Sequence, residues 1–330
     1  MMSGAPTPDP ATRHPDDTGA ATPATPRGRM DALDVARGLA LLAMAVYHLS
    51  WDLRWFGLVD WPVDSSRGWR IFAGLIAGSF LVLVGVGLVL AHGRGIRWRK
   101  ALVRAGRIAL AAAAISLGTW LALDGQYVRF GILHEIALGS LLALPAVFLP
   151  SLITLALAAI VVALPHLVTL SFAGDSWFTW TGLVGYAPPS VDHVPLAPWF
   201  GAILAGVALA RLVIGSRPWK RFAAWRAGGR GSRAFAFAGR HSLAVYLLHQ
   251  PILFGTVWAI VELGLVADPA HEAFLDQCRM ACVAATPGQE AACASACECT
   301  LDALLARDKQ EADMNVIFGQ CRREAGLPGS

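Results

Sequence analysis

Charged side chains are scarce in this 330-residue chain: Asp, Glu, Lys and Arg make up 15% of it, against 55% hydrophobic residues. The mean hydropathy of +0.52 is too high for a soluble protein. Basic residues cluster beside apolar stretches without any pattern of a nucleic-acid-binding fold, which argues against a nucleic-acid partner. The composition predicts a polytopic membrane protein whose first partner is the lipid bilayer.

The N-terminal segment lacks the apolar core of a signal peptide. Residues 1–29 are rich in Pro, Thr, Ala and Gly with scattered charge, which is typical of a disordered region. The first span must then direct insertion, without a cleaved leader. We expect three parts: disordered residues 1–29, a transmembrane domain over residues 30–266 and a small helical tail over residues 267–330.

The transmembrane domain is predicted to be all-α, a helical bundle of about seven spans, because apolar segments of spanning length recur along it. The boundary at Pro150 is the least sharp, since only a tight turn separates two spans there. The predicted spans are Leu33–Leu53, Trp69–Ala91, Arg107–Leu123, Phe130–Leu149, Leu152–Leu170, Trp199–Ile214 and Phe237–Leu265.

Two connections between spans are basic and contain no acidic residue. One runs from His92 to Arg107 and the other from Ser216 to Arg233, whereas residues 171–198 contain Asp but neither Lys nor Arg. The positive-inside rule places both basic connections and the N-terminus in the cytoplasm. Seven spans then put the C-terminal tail on the opposite side of the membrane.

Cysteine is absent until the tail, where all six cysteines occur. This segregation predicts structural disulfides in an oxidising compartment, in agreement with the orientation above. The break at residues 286–288 separates two helical stretches that can form an antiparallel hairpin. A zinc site is the alternative, but the four-residue spacing is a helix-face repeat rather than a zinc knuckle. The favoured pairing is Cys278 with Cys297 and Cys282 with Cys293, leaving Cys299 and Cys321.

The first span has a polar face. Asp34, Arg37, His48 and Asp52 share one side of a helix, with Arg37 and His48 about 16 Å apart along its axis. Because a charge facing lipid is costly, this face should point into a wet interior. Asp52 lies one turn from His48 and can orient the imidazole as a general base. The alternative is a span whose ends are anchored by snorkelling charges, which explains His48 poorly.

The fourth span and the loop before the sixth carry further candidates. His134 and Glu135 are adjacent, so only one of them can face a shared cavity, and we favour His134. The alternative is a polar pair at the membrane surface. Asp192 is a candidate for binding a substrate amine or hydroxyl, or an ordinary loop carboxylate, and Trp199 suits the aromatic belt.

The last span carries a polar stripe, because residues seven apart return to nearly the same side of a helix. At its cytoplasmic end, Arg240 and His241 are placed to meet a phosphate-bearing ligand. The alternative for the pair is positive-inside anchoring, which is the stronger explanation for Arg240 taken alone. The stripe consists of Ser242, Tyr246, His249 and Gln250.

Four motifs in order resemble a bacterial branch of the heparan-α-glucosaminide N-acetyltransferase catalytic-domain family. They read D-V-A-R-G-L-A-L-L-A-M-A-V-Y-H from Asp34, F-G-I-L-H-E-I from Phe130, V-D-H-V-P-L-A-P-W-F-G from Val191 and G-R-H-S-L-A-V-Y-L-L-H-Q-P from Gly239. The resemblance covers about residues 29–265 and excludes the tail. It implies a multi-pass acyltransferase of the bacterial inner membrane, and the orientation derived above then gives a cytoplasmic N-terminus and a periplasmic tail.

The resemblance implies transfer of an acetyl group from cytoplasmic acetyl-CoA, as co-substrate, to a sugar or glycan acceptor across the membrane, with no metal. A homodimer is compatible with it. Arg37, Arg240 and His241 would bind CoA phosphates. His48 and Asp52 would supply the base or carry the acetyl group, and His134 with the stripe would stabilise the oxyanion. Asp192 and Trp199 would bind the acceptor.

One departure from the family is evident. Its lysosomal members have a catalytic histidine in the loop after the first span, and no histidine lies between Leu49 and Arg70 here. Either His48 takes that role or this branch performs different chemistry. Two other functions fit the residues: a transporter or flippase that uses the polar face as its path, and a b-type haem protein with facing imidazoles.

Overall fold

The computed structural model describes residues 30–123, 125–170, 176–186, 189–266, 269–306 and 314–327. The disorder expected for residues 1–29 falls outside this part of the chain. The described residues form helices and no β-strand, as the sequence predicts. In order they are α1 (Asp31–Trp55), α2 (Arg67–His92), α3 (Trp98–Ala122), α4 (Ile132–Leu142), α5 (Ser151–Leu167), α6 (Leu196–Val213), α7 (Arg217–Ala224), α8 (Arg230–Arg240), α9 (Ser242–Glu262), α10 (Pro269–Ala285), α11 (Glu290–Leu305) and α12 (Met314–Glu324).

Five helices within the described ranges, α1, α2, α3, α6 and α9, are long and apolar enough to cross a membrane. The helices α4 and α5 are equally apolar but shorter, with 11 and 17 residues. The predicted fourth span is interrupted, because Pro145 begins a separate 3₁₀ segment, Pro145–Phe148, and has no amide to continue α4. The structure therefore supports a multi-pass membrane protein and divides one expected span into two pieces.

The predicted continuous span from Phe237 was wrong. The chain turns at His241, which separates α8 from α9. Three arginines make α8 too polar to extend an apolar span, so it packs along α1 instead. The third span was also placed too late, because α3 begins at Trp98 and its basic first turns belong to the helix.

The centre of the bundle is α6, which packs against α2 on one side and α5 on the other. Leu81, Ile203 and Val207 are fully buried between these helices. Gly85 of α2 and Gly206 of α6 allow the backbones to touch, since a Cβ atom at either position would overlap a carbonyl oxygen of the partner helix. Small residues therefore set the spacing of the central helices, as in other membrane bundles.

The substitution Gly206→Ala is expected to lower the melting temperature of the purified protein, because the new methyl group must displace the backbone of α2 at Val82. Overpacking of this kind costs about 1–3 kcal/mol. The matched control is Gly106→Ala in α3, where no heavy atom lies within 4 Å of the added Cβ. The control should be neutral or slightly stabilising. Equal melting temperatures for the two variants would contradict the packing described here.

At the end of the bundle opposite the basic loops, the segment between α3 and α4 is hydrogen-bonded to the segment before α6. The Val191 amide donates to the Gln126 carbonyl and the Val194 amide to the Phe130 carbonyl, both at 3.0 Å. The Ser190 hydroxyl adds a bond of 3.1 Å to the Tyr127 carbonyl. These bonds satisfy the non-helical backbone and hold Asp192 close to the start of α4.

The tail helices α10, α11 and α12 surround a small core of their own, in which Cys293, Cys297 and Ala296 are completely buried. The break over residues 286–289 separates α10 from α11, as expected. The predicted pairing of the hairpin cysteines is confirmed. The disulfides are Cys278–Cys297, Cys282–Cys293 and Cys299–Cys321.

Candidate active site

A cavity of about 1120 Å³ opens at the basic end of the bundle, between α1, α2, α3, α4 and α9. We call it the arginine cavity. The described residues that line it include seven cations and no carboxylate, so the cavity attracts polyanions. The cations are Arg37, Arg97, Arg99, Lys100, Arg104, Arg107 and Arg240.

The inner part of the arginine cavity is less charged. Leu133 and Ile136 of α4 form one wall, and Ser242, Leu243 and Tyr246 of α9 form another. The cavity thus changes from a cationic mouth to an apolar interior with two hydroxyl groups. Such a gradient suits an amphiphilic ligand whose charged part stays at the mouth.

Tyr246 links this cavity to the loops before α4 and α6, at the opposite end of the bundle. Its hydroxyl donates a hydrogen bond to the Asp192 carboxylate, which also accepts the Ile132 amide at 3.0 Å. Burial raises the pKa of Asp192 to about 6, against the lowering effect of these two hydrogen bonds. Gly131 has no room for a side chain because the carboxylate occupies that space.

Two imidazoles lie next to Tyr246. The rings of His48 in α1 and His249 in α9 are 5.0 Å apart between centroids, and the Tyr246 ring is 5.7 Å from that of His249. The polar face of the first span therefore meets the stripe of the last. His48 is turned toward α9, and its neighbour Tyr47 contacts it edge-on at 5.7 Å.

The tautomer of His249 follows from its contacts. Its Nδ1 lies 2.7 Å from the Tyr246 carbonyl oxygen, which can only accept, so Nδ1 carries the proton. Its Nε2 then has a free lone pair, and this buried atom has no hydrogen-bond partner among the described residues. A fixed donor on one nitrogen and an available lone pair on the other is the arrangement that a general base requires.

Asp52 is fully buried, but it contacts a different partner from the expected one. Its Oδ1 accepts a hydrogen bond of 2.8 Å from the Gln250 side-chain amide. No hydrogen bond joins Asp52 to His48 within the described part of the chain. The pair Asp52–Gln250 instead fixes α1 against α9 beside the two imidazoles.

The structure places His134 at the start of α4. Its Nδ1 accepts the Gly131 amide at 3.2 Å, and its Nε2 lies 3.4 Å from the Ser116 hydroxyl. Both ring nitrogens are therefore engaged in holding this helix terminus. Glu135 is completely buried, and among the described residues neither of its carboxylate oxygens has a hydrogen-bond partner. Because adjacent side chains on a helix diverge, the sequence predicts His134, and not Glu135, as the residue that faces a cavity.

The predicted phosphate-binding residues are only partly brought together. Arg37 and Arg240 both line the arginine cavity, and Arg37 contacts Asp34 at 3.2 Å. His241 instead packs against Phe237, with 4.5 Å between ring centroids and the ring planes inclined at 42°. Trp199 is a packing residue of the main core, beside Gly74 of α2.

Five cations of the arginine cavity were not proposed as ligand-binding residues from the sequence. In the sequence they form the basic run after α2. That run by itself indicates which side of the membrane the connection occupies, and it does not indicate a binding site. Four of them line the cavity because α3 begins at Trp98, so their side chains project from a helix that borders the cavity, and Arg97 immediately precedes that helix. They are Arg97, Arg99, Lys100, Arg104 and Arg107.

The geometry of the imidazole pair bears on the haem alternative. The His48 and His249 rings are 5.0 Å apart and inclined at 62°. A haem plane between two axial imidazoles needs more space and rings that both point at the iron. This pair therefore does not suit axial ligation.

Comparison with known proteins gives one match. The family model described as heparan-α-glucosaminide N-acetyltransferase, catalytic, matches residues 29–251, which is more than half of the chain and includes every site residue above. No curated protein and no solved structure is significantly similar to the chain. The chain therefore belongs to the heparan-α-glucosaminide N-acetyltransferase catalytic family, a family of acetyltransferases.

Proposed function

We propose that this protein transfers an acetyl group from acetyl-CoA, bound in the arginine cavity, to a sugar or glycan acceptor that arrives from the other side of the membrane. The observation that carries the proposal is the position of Tyr246. Its side chain lines the arginine cavity and bonds to Asp192, which belongs to the connections at the opposite end. The arginine cavity is thus linked through one residue to the connections at the opposite end of the bundle.

The orientation follows from the distribution of charge. Seven crossings are obtained if α4 and its 3₁₀ segment cross together, in addition to α1, α2, α3, α5, α6 and α9. The positive-inside rule then puts the arginine cavity in the cytoplasm, where acetyl-CoA is made. The disulfide-bonded tail lies in the periplasm of a bacterial inner membrane, and its three disulfides are consistent with an oxidising compartment.

Acetyl-CoA matches the arginine cavity in its distribution of charge. Its phosphates carry the negative charge at one end, and guanidinium groups bind phosphates through paired N–H donors. The uncharged pantetheine arm and thioester would extend along Leu133, Leu243 and Tyr246. The acetyl group would then lie next to the imidazole pair.

The proposed chemical step uses the fixed tautomer of His249. The acceptor amine or hydroxyl attacks the thioester carbonyl carbon and gives its proton to His249 Nε2. The C–S bond breaks, and the CoA sulfur takes the proton back from the imidazolium. The Tyr246 hydroxyl donates its one proton to Asp192 in the resting site. We propose that it redirects this hydrogen bond to the developing oxyanion, while Asp192 accepts a hydrogen bond from the acceptor and positions it. His48 and the Asp52–Gln250 pair keep His249 in place.

The test is acetyl transfer across a membrane by the purified full-length chain in liposomes. Acetyl-CoA labelled in its acetyl group is added outside and glucosamine is enclosed inside. We expect labelled N-acetylglucosamine in the lumen and free CoA outside. Labelled glucosamine crossing the membrane without acetyl-CoA would indicate a transporter or flippase instead. Absence of acetyl-CoA binding to the purified chain would overturn the proposal.

A further inference from the structure

A second cavity, of about 1450 Å³, lies at the same end of the bundle, bounded by the start of α1, the end of α2, the connection to α3 and the end of α6. Acetyl transfer as proposed makes no use of it. Four arginines line it: Arg37 and Arg97, which also line the arginine cavity, and Arg94 and Arg211, which do not. Asp34, already paired with Arg37, is the one acid among its described lining residues.

Three of these guanidinium groups are held in place by the protein. Arg97 Nη2 donates to the Ala91 carbonyl at 2.6 Å, Arg211 Nη1 donates to the Val147 carbonyl, and Arg37 contacts Asp34. A guanidinium has five N–H donors, so the single backbone contacts of Arg97 and Arg211 can be combined with hydrogen bonds to a ligand. The cations are thus positioned in advance, which lowers the entropic cost of binding an anion.

The rest of the lining is apolar and extends to the outer surface of the bundle. Leu90 and Ile214 line the cavity and are 43% and 39% exposed. Leu90 is in the last turn of α2 and Ile214 directly follows α6, two helices that are long and apolar enough to span a membrane. Exposed apolar side chains at this position suit the boundary between headgroups and acyl chains. A free phosphate has no apolar part to contact these side chains, whereas the acyl chains of a phospholipid can pack against them.

We propose that the second cavity binds the headgroup of an anionic glycerophospholipid, with its phosphodiester among Arg94, Arg97 and Arg211 and its acyl chains along Leu90 and Ile214. Basic pockets between spanning helices at the cytoplasmic side are suited to acidic headgroups. The lipid would also fix Arg37 and Arg97, which the two cavities share. This inference stands whether or not the chain transfers acetyl groups.

The test is lipid retention by the full-length chain in detergent, measured by native mass spectrometry with phosphatidylglycerol and phosphatidylcholine. We expect preferential retention of phosphatidylglycerol. Arg94→Gln should weaken it about fivefold, from roughly 1 kcal/mol for each basic residue near an anionic lipid, and Arg94→Lys should restore it. Lys100→Gln is the matched control, because Lys100 lines only the arginine cavity.

Three outcomes would overturn the lipid site. The first is equal retention of the two lipids by the unmodified chain. The second is unchanged phosphatidylglycerol retention in Arg94→Gln. The third is displacement of the lipid by CoA or inorganic phosphate, which would make the second cavity a site for a free phosphate ligand. Arg94 is exposed, so its replacement should leave the fold intact.

Discussion

Replacing His249 by alanine is expected to lower the rate constant of acetyl transfer by about 10²–10⁴-fold, the usual contribution of a general base. The reason is the free Nε2 lone pair, whose availability is set by the hydrogen bond between Nδ1 and the Tyr246 carbonyl oxygen. The dissociation constant for acetyl-CoA should stay unchanged, since His249 does not line the arginine cavity. Transfer rates and equilibrium binding are to be measured on the same preparation.

His48 provides the comparison for this experiment. Its ring packs on His249 at 5.0 Å between centroids, so His48→Ala should also slow transfer with unchanged acetyl-CoA binding. If His249 is the base and His48 positions it, His249→Ala has the larger effect, and His48→Phe, which keeps the ring contact, recovers part of the rate. Full loss in His48→Phe with normal transfer in His249→Ala would assign the base to His48, as the sequence predicted.

Replacing Arg104 by glutamine is expected to weaken acetyl-CoA binding by about 10–100-fold, from the roughly 1.5–3 kcal/mol of a hydrogen bond to a charged group. Arg104 lies in the arginine cavity close enough to Arg37 for their charges to repel. Removing one of two neighbouring cations relieves that repulsion, so the melting temperature of the unliganded variant should not fall. Isothermal titration and thermal unfolding measure the two effects.

Lys220→Gln is the control for this prediction, because Lys220 is exposed, lines neither cavity and should not affect acetyl-CoA binding. Dephospho-CoA gives a second comparison. If the cavity binds phosphates, loss of the 3′-phosphate should weaken binding to the unmodified chain more than to Arg104→Gln. Equal affinity of Arg104→Gln and the unmodified chain for acetyl-CoA would remove the arginine cavity as the donor site.

Much of the architecture is predictable because it depends on local properties. Apolar length identified the helices, and helix-face spacing identified the hairpin disulfides, since residues four apart share a side whatever surrounds them. The interruptions at Pro145 and His241 were missed. At Pro145 hydropathy stays high while the backbone changes direction, so an average over apolar residues does not register the turn. At His241 the chain passes from the arginine-containing α8 to the apolar α9, and the apolar residues Phe235 and Phe237 made the end of α8 resemble the start of a span.

The site shows the same division between local and long-range information. Helical periodicity put His48 and Asp52 on one polar face and Ser242, Tyr246, His249 and Gln250 on another. It did not show that the buried Asp52 carboxylate bonds to Gln250, or that His134 holds the start of α4. Burial satisfies polar groups with whatever partner packing brings close, and that partner need not be a neighbour in sequence.

The sequence by itself therefore determined the membrane class, the cationic end and the polar faces of the first and last spans, because each depends on composition or on spacing within one segment. It favoured the pairing of the four hairpin cysteines, which the structure confirms. Only the tertiary structure decided that α3 contributes four cations of the arginine cavity and that Asp192 reaches Tyr246. Periodicity fixes the direction in which a side chain leaves its own helix. The residue that it meets depends on how close the helix backbones approach, which glycines such as Gly85 and Gly206 set in this bundle.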